Sequence, residues 1–146
     1  MDIRLAQEGD LRQLLKLYTQ LHDNTMPIFD VNLERLWSEI LKDNNHHIVL
    51  GVIDEQIASS CVLVVVPNLT RNQRPYALVE NVITHAAYRN KGYASLVLEF
   101  AKDIALRKNC YKIMLLTGSK QESTFRFYEK AGYNKNDKTA FVQWFD

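Results

Sequence analysis

A basic loop at residues 88–94, Y-R-N-K-G-Y-A, carries the residue types that bind an anion. It follows an apolar run typical of a strand and opens an apolar run typical of a helix. The first turn of a helix leaves about four backbone N–H groups unpaired and holds roughly half a positive charge. Gly92 allows close backbone approach to a bulky anion, while Arg89 and Lys91 add mobile positive charge. The loop therefore predicts a site for a pyrophosphate-bearing ligand.

Two familiar phosphate-binding patterns do not fit this loop. No Gly-Lys-[Ser/Thr] stands at the spacing that a P-loop requires, and the loop contains no G-x-G-x-x-G. A basic turn that merely links a strand to a helix is the alternative, because short glycine motifs also occur by chance. The residues of the loop alone leave both interpretations open.

The segments that must position the loop predict a mixed sheet with helices packed on it. Apolar residues spaced by threes and fours predict helices at 11–21, 33–41, 91–107 and 121–130. Alternating or continuous apolar runs predict strands at 3–6, 47–53, 57–66, 76–84, 111–117 and 139–145. Asp10 is expected to cap the first helix and Gly132 to close the last, and residues 23–30 and 67–75 predict loops. The helix at 91–107 crosses between two strands, which favours a parallel pair.

Composition narrows the class of protein. The 146 residues fit one domain, 1–146, with 47% hydrophobic and 24% charged residues. A net charge of +1 gives no general field for nucleic acid, so any anion site is local. Cys61 and Cys110 are predicted core thiols, and His46 and His47 lack the further ligands of a metal site. With no signal-peptide pattern and no apolar run near ~20 residues, we expect a cytoplasmic protein without membrane contact.

Four motifs together resemble the Gcn5-related N-acetyltransferase (GNAT) superfamily, over nearly the whole chain. I-R-L-A-Q-E-G-D-L-R-Q-L-L, from Ile3, resembles that family's first strand and helix. R-N-K-G-Y-A at 89–94 resembles its pyrophosphate loop, [RQ]-x-x-G-x-[GA], with Ala94 where Gly is commoner. C-Y-K-I-M-L at 110–115 and F-Y-E-K-A-G-Y at 127–133 resemble the next strand and the second motif. The loop combined with F-Y-E-K-A-G-Y is a specific pattern, and it weakens the linking-turn alternative.

The resemblance implies an α+β fold with acetyl-CoA as cosubstrate and no metal. Its sheet would be mixed, with six to seven strands, about four helices and two central parallel strands that splay apart. The loop residues would hold the pyrophosphate: Arg89, Asn90, Lys91, Gly92, Tyr93, Ala94 and Ser95. The pantetheine arm would pair like an added strand with the backbone of Val82, Ile83 and Thr84. An asparagine that many members carry before the second motif is missing, and whether Ser119 or Gln121 replaces it stays open.

The implied reaction moves an acyl group from a thioester to an amine. An alkylamine with a pKa near 10.4 is protonated at pH 7, and removing that proton costs a free energy of about 4–5 kcal/mol. The thiolate that leaves must in turn gain a proton. Tyr128, in F-Y-E-K-A-G-Y, matches the tyrosine that serves in this family as the general acid for the leaving thiolate. The resemblance also implies that Tyr128 contacts the cofactor. Glu80 is the candidate base, on a sheet face that alternation shares with Leu78, Val82 and Thr84. Partial desolvation there would raise its pKa. A salt-bridged or edge-exposed Glu80 is the structural alternative, with a water chain or another residue as the base.

The resemblance places the acceptor pocket among residues 22–37, 67–75 and 134–146. Four large side chains could line it, although core positions are favoured for them: Met26, Phe29, Trp37 and Trp144. Arg71 and Arg74 suit either an acidic acceptor or solvent, and Asn81 is a weak candidate to orient substrate from the sheet face opposite Glu80. His85 is predicted to be a surface residue at a strand end.

We expect an enzyme that acetylates a primary amine of a small molecule: an amino sugar, polyamine, amino acid or aminoglycoside-like amine. Local similarity in N-C-Y-K-I and F-Y-E-K points to the amino-sugar phosphate branch of the family. Two alternatives remain, namely a protein lysine or N-terminal acetyltransferase and a non-catalytic acyl-CoA-binding module. Family members often pair through their C-terminal strands, so a homodimer is an option that the sequence leaves open.

Overall fold

The computed structural model describes residues 1–22 and 24–146, and within them a five-stranded sheet carries four α-helices. The strands are β1 Asp2–Leu5, β2 His46–Ile53, β3 Gln56–Val66, β4 Tyr76–Thr84 and β5 Ile113–Leu115. The helices are α1 Leu11–Tyr18, α2 Val31–Lys42, α3 Tyr93–Arg107 and α4 Glu122–Lys130. The strand order follows the chain, from β1 to β5. The first four strands pair antiparallel, whereas β4 and β5 pair parallel through the α3 crossover.

Two hydrophobic clusters hold the helices against opposite faces of the sheet. Alternate residues of β3 divide between them, since side chains along a strand point to opposite faces. Cys61 and Leu63 belong to the cluster that also contains Val97 and Ala101 of α3. Val62 and Ile57 of β3 belong to a second cluster, with residues from α1, α2, β2 and β4: Leu14, Leu17, Trp37, Ile48, Leu50 and Ile83. Burial on both faces explains why β3 reads as a nearly continuous apolar run.

Most predicted elements are confirmed, with local corrections. The predicted hairpin forms, and Asp54 and Glu55 turn it with positive φ angles of 47° and 64°. The predicted loop at 23–30 begins at Asp23, which lies outside the described residues, and residues 24–30 have no regular structure. The first helix ends at Tyr18, three residues earlier than predicted. Gly132 closes α4 with a φ of 100°, as the sequence indicates.

Asp10 precedes α1 as predicted, but its side chain does not cap that helix. Its carboxylate instead accepts two hydrogen bonds from the Arg4 guanidinium, at 2.7 and 2.9 Å, and one from the Gln7 backbone N–H at 2.7 Å. A paired guanidinium binds a carboxylate more strongly than neutral N–H groups do. The hydrogen bonds from Arg4 lower the pKa of Asp10. The sequence therefore predicted where Asp10 lies, directly before α1, but not that its carboxylate pairs with Arg4.

The predicted C-terminal strand at 139–145 is wrong, because those residues have no regular secondary structure. Phe141 and Trp144 are 91% and 81% exposed. The strand predicted at 111–117 is also shorter, with three paired residues in β5. Five described strands therefore replace the expected six to seven, and β5 lies at the sheet edge instead of the centre. Alternation can identify a strand-forming segment, but it does not supply the neighbour with which the segment must pair.

The predicted core thiols are confirmed, since Cys61 and Cys110 are both buried and not joined in a disulfide. Burial raises the pKa of Cys61 to about 12, which makes that thiol a packing residue. Across residues 1–22 and 24–146, no helix has the length and apolarity needed to cross a membrane. In the same residues, no group of three His, Cys, Asp or Glu side chains is arranged to hold a metal ion.

His47, at the start of β2, is half-buried beside Lys108 at the end of α3. Its Nε2 is buried and has no hydrogen-bond partner among the described residues. Desolvation lowers the pKa of His47, and the positive charges of Lys108 and His46 lower it further, against smaller opposing effects of a backbone hydrogen bond at Asn44 and of the Asp43 carboxylate. The folded protein therefore disfavours the protonated imidazole.

We predict that the free energy of unfolding falls as pH drops below about 6.5, the ordinary pKa of histidine. The unfolded chain then takes up a proton that the folded chain resists, so the stability present above that pH is lost on acidification. The measurement is urea unfolding of the wild type and of His47→Gln at pH 7.0 and at lower pH. The free energy of unfolding should vary less with pH in His47→Gln than in the wild type. The control variant His22→Gln, which removes an exposed histidine that does not act on His47, should keep the wild-type slope, and a slope equal in all three proteins would contradict the assignment.

Candidate active site

Strands β4 and β5 separate after a short parallel pairing. Ala77, Leu78 and Val79 pair with Ile113, Met114 and Leu115, and there β5 ends. β4 continues to Thr84, so the edge at 80–84 that faces away from β3 meets no strand in the described sheet. The three residues predicted to pair with a pantetheine arm, Val82 to Thr84, lie in this unpaired part. A gap of this kind can accept an extended ligand that hydrogen-bonds to the strand backbone.

The basic loop is open at its glycine. α3 begins at Tyr93, and Gly92 precedes it with a left-handed φ of 82° and no side-chain cap. Apart from its two chain neighbours, no described residue comes within 4 Å of a Cβ built on Gly92, so no other side chain packs against the bend at this point. Asn90 also has a positive φ, 61°, which folds the loop tightly in front of the helix. Uncapped N–H groups at an accessible helix start suit a diphosphate.

The side chains around the loop partly serve its own structure. Arg89 donates through Nε to the Thr84 carbonyl at 3.1 Å and so ties the loop to the end of β4. The Lys91 ammonium lies 5.7 Å from the ring centre of Tyr88, and Tyr88 and Tyr93 are 6.3 Å apart. His85 accepts the Ala87 N–H through Nδ1 at 3.1 Å, which matches its predicted place at the strand end. Of the two predicted cations, Arg89 is thus hydrogen-bonded to the backbone, whereas Lys91 makes no hydrogen bond or ion pair among the described residues.

A β-bulge interrupts β4 beside the gap. Cys61 of β3 faces two residues of β4, Asn81 and Val82, because Val62 pairs with Glu80 and Ser60 pairs with Ile83. Asn81 takes up the extra residue with a left-handed φ of 51°. The bulge shifts the alternation by one residue, so Val82 packs toward α3 and Ile83 toward α1.

The predicted face of Glu80 is therefore wrong in part. Val82, and by alternation Thr84, lie on the opposite face, whereas Ile83 shares the face of Glu80. The Glu80 side chain is exposed, so the expected partial burial is not observed. It makes no ion pair or hydrogen bond among the described residues, so the edge-exposed alternative is observed and the salt-bridged one is not. Glu80 stands free on the strand that borders the gap.

Tyr128 lies on α4 and packs against the α3-side cluster that includes Val82 and Leu115. Its ring makes edge contacts with Phe127 at 4.9 Å and with Tyr133 at 6.1 Å. Desolvation raises the pKa of Tyr128, and Cys61 adds to that effect. The phenol therefore keeps its proton at neutral pH and remains an O–H donor. The structure brings Tyr128 to the face of Val82, with Glu80 on the other face of the sheet.

The two candidates for the missing asparagine differ in their contacts. The Ser119 hydroxyl lies 3.0 Å from the Thr124 hydroxyl and accepts the Gln121 N–H at 3.2 Å. Ser119 thus helps to start α4. The Gln121 side chain makes no cap bond at the helix start and is exposed. Of the two, Gln121 is the better placed to reach a ligand.

An open cavity of about 240 Å³ lies between α1, the segment after it and the β4 bulge. Its lining is Leu15, Tyr18, Leu21, Asn24, Thr25, Pro27 and Asn81. Residues 24, 25 and 27 fall in the first predicted acceptor segment, whereas residues 67–75 and 134–146 do not line this cavity. Asn81 was expected on the face opposite Glu80, but the bulge turns it toward α1 instead.

Sequence reasoning missed Tyr18, which reads as one member of the apolar stripe of α1. Burial raises the pKa of Tyr18 to about 12, with Ser60 and Asn81 as its polar neighbours. The one signal in the sequence is Ser59-Ser60, a polar pair inside an otherwise apolar strand. Both serines are fully buried.

The four large side chains considered for the acceptor pocket differ in their burial. Trp37 is in the core and donates to the Glu8 carbonyl at 3.1 Å, as favoured from the sequence. Phe29 is half-buried under the Arg12 guanidinium, 4.0 Å from its ring centre. The core interpretation is wrong for the other two, since Met26 and Trp144 are exposed.

Arg71 and Arg74 contact their own chain. Arg71 lies 5.5 Å from the ring centre of Tyr111. Arg74 donates to the carbonyls of Asn109 and Cys110, both at 3.2 Å. These contacts account for both cations without an acidic acceptor.

The sequence and the fold of this chain are similar to those of known acetyltransferases. Residues 10–133 match the model of the Acetyltransferase (GNAT) family. The chain is 27% identical over 142 residues to a glucosamine 6-phosphate N-acetyltransferase of Trypanosoma brucei brucei, covering 94% of this chain and 92% of that protein. A solved structure from Agrobacterium tumefaciens str. C58 has a TM-score of 0.90 at 33% identity, covering 99% of this chain and 100% of that one. Glucosamine-6-phosphate N-acetyltransferase from Arabidopsis thaliana has a TM-score of 0.88 at 26% identity, covering 99% and 98%. A family match over most of the length, with the same fold in both solved structures, shows that this chain belongs to the acetyltransferase (GNAT) family.

Proposed function

We propose that the protein transfers an acetyl group from acetyl-CoA to a primary amine of a small molecule, with amino sugars the first class to test. The observation that carries the proposal is the separation of β4 from β5 beside an open, uncapped Gly92 bend. Two relatives with 26–27% identity are named as acting on an amino sugar phosphate, which supports the choice of class. The buried, unpaired thiols suit the reducing cytoplasm, which we propose as its location.

In this proposal the loop and the strand edge bind and aim the cosubstrate. Backbone N–H groups from Asn90 to Ser95 hold the diphosphate, and Lys91 adds a charge that is free to move toward it. The backbone at 82–84 pairs with the pantetheine arm along the gap. The bound thioester supplies an activated acyl group at the bulge in β4. Fixing both ends of the cosubstrate removes much of its orientational freedom before the reaction.

The proposed proton transfers use residues on the two sides of the gap. Tyr128, kept protonated by its buried position, donates to the departing thiolate from the α3 side. Glu80, exposed on the other face, takes the proton of the amine directly or through water. Because the acceptor cavity opens on the same face as Ile83 and α1, the amine and Glu80 share one side of the sheet.

A protein acetyltransferase and a non-catalytic acyl-CoA module remain the alternatives. The small cavity beside α1 favours a small acceptor, since a peptide needs an extended path. The deciding experiment incubates the protein with acetyl-CoA and a panel of amino sugars, polyamines, amino acids, aminoglycosides and lysine peptides, and measures thiol release. We expect turnover with a small amine. Acetyl-CoA binding without turnover of any amine would instead support the non-catalytic module.

We predict that Gly92→Asp weakens acetyl-CoA binding roughly fivefold to several hundredfold. A carboxylate close to the diphosphate adds about 1–4 kcal/mol of repulsion, depending on how exposed the contact is. Gly92→Asn is the matched control, because asparagine has the same shape and tolerates positive φ as well as aspartate does. Calorimetry should give Asn a smaller loss than Asp. Normal affinity in Gly92→Asp would remove the diphosphate from this bend.

We predict that Tyr128→Phe lowers kcat at least tenfold and leaves the Kd of acetyl-CoA near the wild-type value. A positioned acid commonly contributes about 10²–10⁴-fold, and phenylalanine keeps the ring packing while removing the O–H. Tyr133→Phe is the control, since Tyr133 packs against Tyr128 and is likewise half-buried. Equal losses in both variants, or an unchanged rate in Tyr128→Phe, would exclude Tyr128 as the acid.

We further propose that two copies pair through the C-terminal segment at 139–145. This segment is rich in strand-forming residues, yet it pairs with no described strand of its own chain, and Phe141, Val142, Trp144 and Phe145 are exposed. β5 lies at the sheet edge with its outer side open in the described sheet. An open edge and an unpaired apolar segment in one chain favour pairing with a second copy.

Light scattering after gel filtration should give twice the 17.0 kDa mass of one chain. Replacing Phe141 and Trp144 together by Ser should give the single-chain mass, because the apolar contact is lost. Leu69→Ser is the control, since Leu69 is 86% exposed in a different loop. A wild-type protein that stays monomeric at micromolar concentration would contradict this pairing.

A further inference from the structure

Two buried hydroxyls lie unpaired beneath the cavity next to the β4 bulge. The Tyr18 hydroxyl and Ser60 Oγ have no hydrogen-bond partner among the described residues, and Ser60 is fully buried. Tyr18 neighbours both Ser60 and Asn81, so the Asn81 carboxamide is a polar group that can complete the contacts of the Tyr18 hydroxyl. Tyr18 lines the cavity, but its hydroxyl is buried. Its ring carbons therefore form part of the cavity wall, whereas its O–H lies inside the protein behind that wall.

The bulge presents Asn81 above those hydroxyls. Asn81 lines the cavity, its side chain is exposed there, and it neighbours Tyr18. Its left-handed backbone is a conformation that asparagine tolerates better than most residues. A carboxamide offers two donors and an acceptor, so one side can contact Tyr18 while the other contacts a ligand. Val82, the first residue of the expected thioester-binding edge, follows Asn81 directly.

The cavity wall is neutral across the residues that the structure describes. Leu15, Leu21 and Pro27 supply apolar surface, and Asn24, Thr25 and Asn81 supply amide and hydroxyl groups. A phosphate would require Arg or Lys among these lining residues. At about 240 Å³, the cavity is smaller than the roughly 300–1,000 Å³ of sites for drug-sized ligands. Apolar patches alternating with neutral polar groups suit one sugar ring.

We propose that this cavity binds the ring of an unphosphorylated amino sugar, and that Asn81 positions it for acetylation. The inference rests on the proposed acetyltransferase function and deepens it by naming the acceptor class. Asn81 contacts the acceptor directly. Tyr18 and Ser60 act through Asn81, as positioning residues that hold its carboxamide at the correct angle.

The first experiment compares D-glucosamine, D-glucosamine 6-phosphate and spermidine as acceptors, by thiol release at saturating acetyl-CoA. We expect kcat/KM for D-glucosamine to exceed both other values at least tenfold. A smaller advantage, or no turnover of D-glucosamine, overturns the inference. Turnover of another amine in that case leaves the proposed function standing, whereas no turnover of any amine in the wider panel removes both.

The second experiment removes the Asn81 carboxamide in two ways. Asn81→Ala and Asn81→Gly should each raise KM for D-glucosamine at least fivefold and keep the Kd of acetyl-CoA within twofold. Glycine tolerates positive φ without strain, so agreement between the two variants separates lost contact from backbone strain. Asn109→Gly is the matched control, because Asn109 is an exposed asparagine with a φ of 62° outside the cavity. A rise in KM below fivefold in both Asn81 variants overturns its role.

A double-mutant cycle tests whether Tyr18 acts through Asn81. Tyr18→Phe should raise KM for D-glucosamine, and Tyr18→Phe with Asn81→Ala should match Asn81→Ala alone within twofold. Fully additive losses in the double variant would overturn the positioning role of Tyr18. A merely structural role would lower the denaturation midpoint in Tyr18→Phe without producing this dependence on Asn81.

Discussion

The end of pairing between β4 and β5 is the constraint on which the rest of the structure depends. A parallel strand pair normally satisfies the backbone groups of both partners along its length. Here the pairing stops at Val79 and Leu115, and β4 continues alone to Thr84. The free edge of β4 then needs another source of hydrogen bonds. The adjoining bend at Gly92, open and uncapped, offers further N–H groups next to it.

The sheet divides the chemistry that we propose into two sides. Tyr128 packs with the α3-side cluster, where burial keeps its proton in place. Glu80 and the cavity beside α1 lie on the other side, where the side chains are more exposed. The bulge at Asn81 is the point at which these sides meet, because it reverses which residues of β4 face each layer. With a net charge of +1, binding depends on this local geometry more than on long-range attraction.

The sequence predicted the elements with strong local signals. The glycine-containing bend, the α3 stripe and the hairpin all follow from residue type and spacing, and their bounds agree within a few residues. The bulge was not predictable, since alternation through L-V-E-N-V-I-T continues smoothly in the sequence while the register against β3 shifts. That one shift explains why Val82 and Thr84 do not share the sheet face of Glu80, as predicted, and why Asn81 lies on the side of α1 instead of the opposite one. The C-terminal strand failed for another reason, because alternation identifies strand-forming residues but does not show whether they pair with the open edge of the sheet.

Amide hydrogen exchange with and without acetyl-CoA tests the central claim most directly, because it reports on the backbone groups themselves. The account predicts slower exchange on binding at residues 82–84, along the free edge of β4, and at 90–95, around the Gly92 bend. Residues 71–73, in a turn outside the gap, should exchange at unchanged rates. Binding of acetyl-CoA with no added protection at either 82–84 or 90–95 would contradict the account.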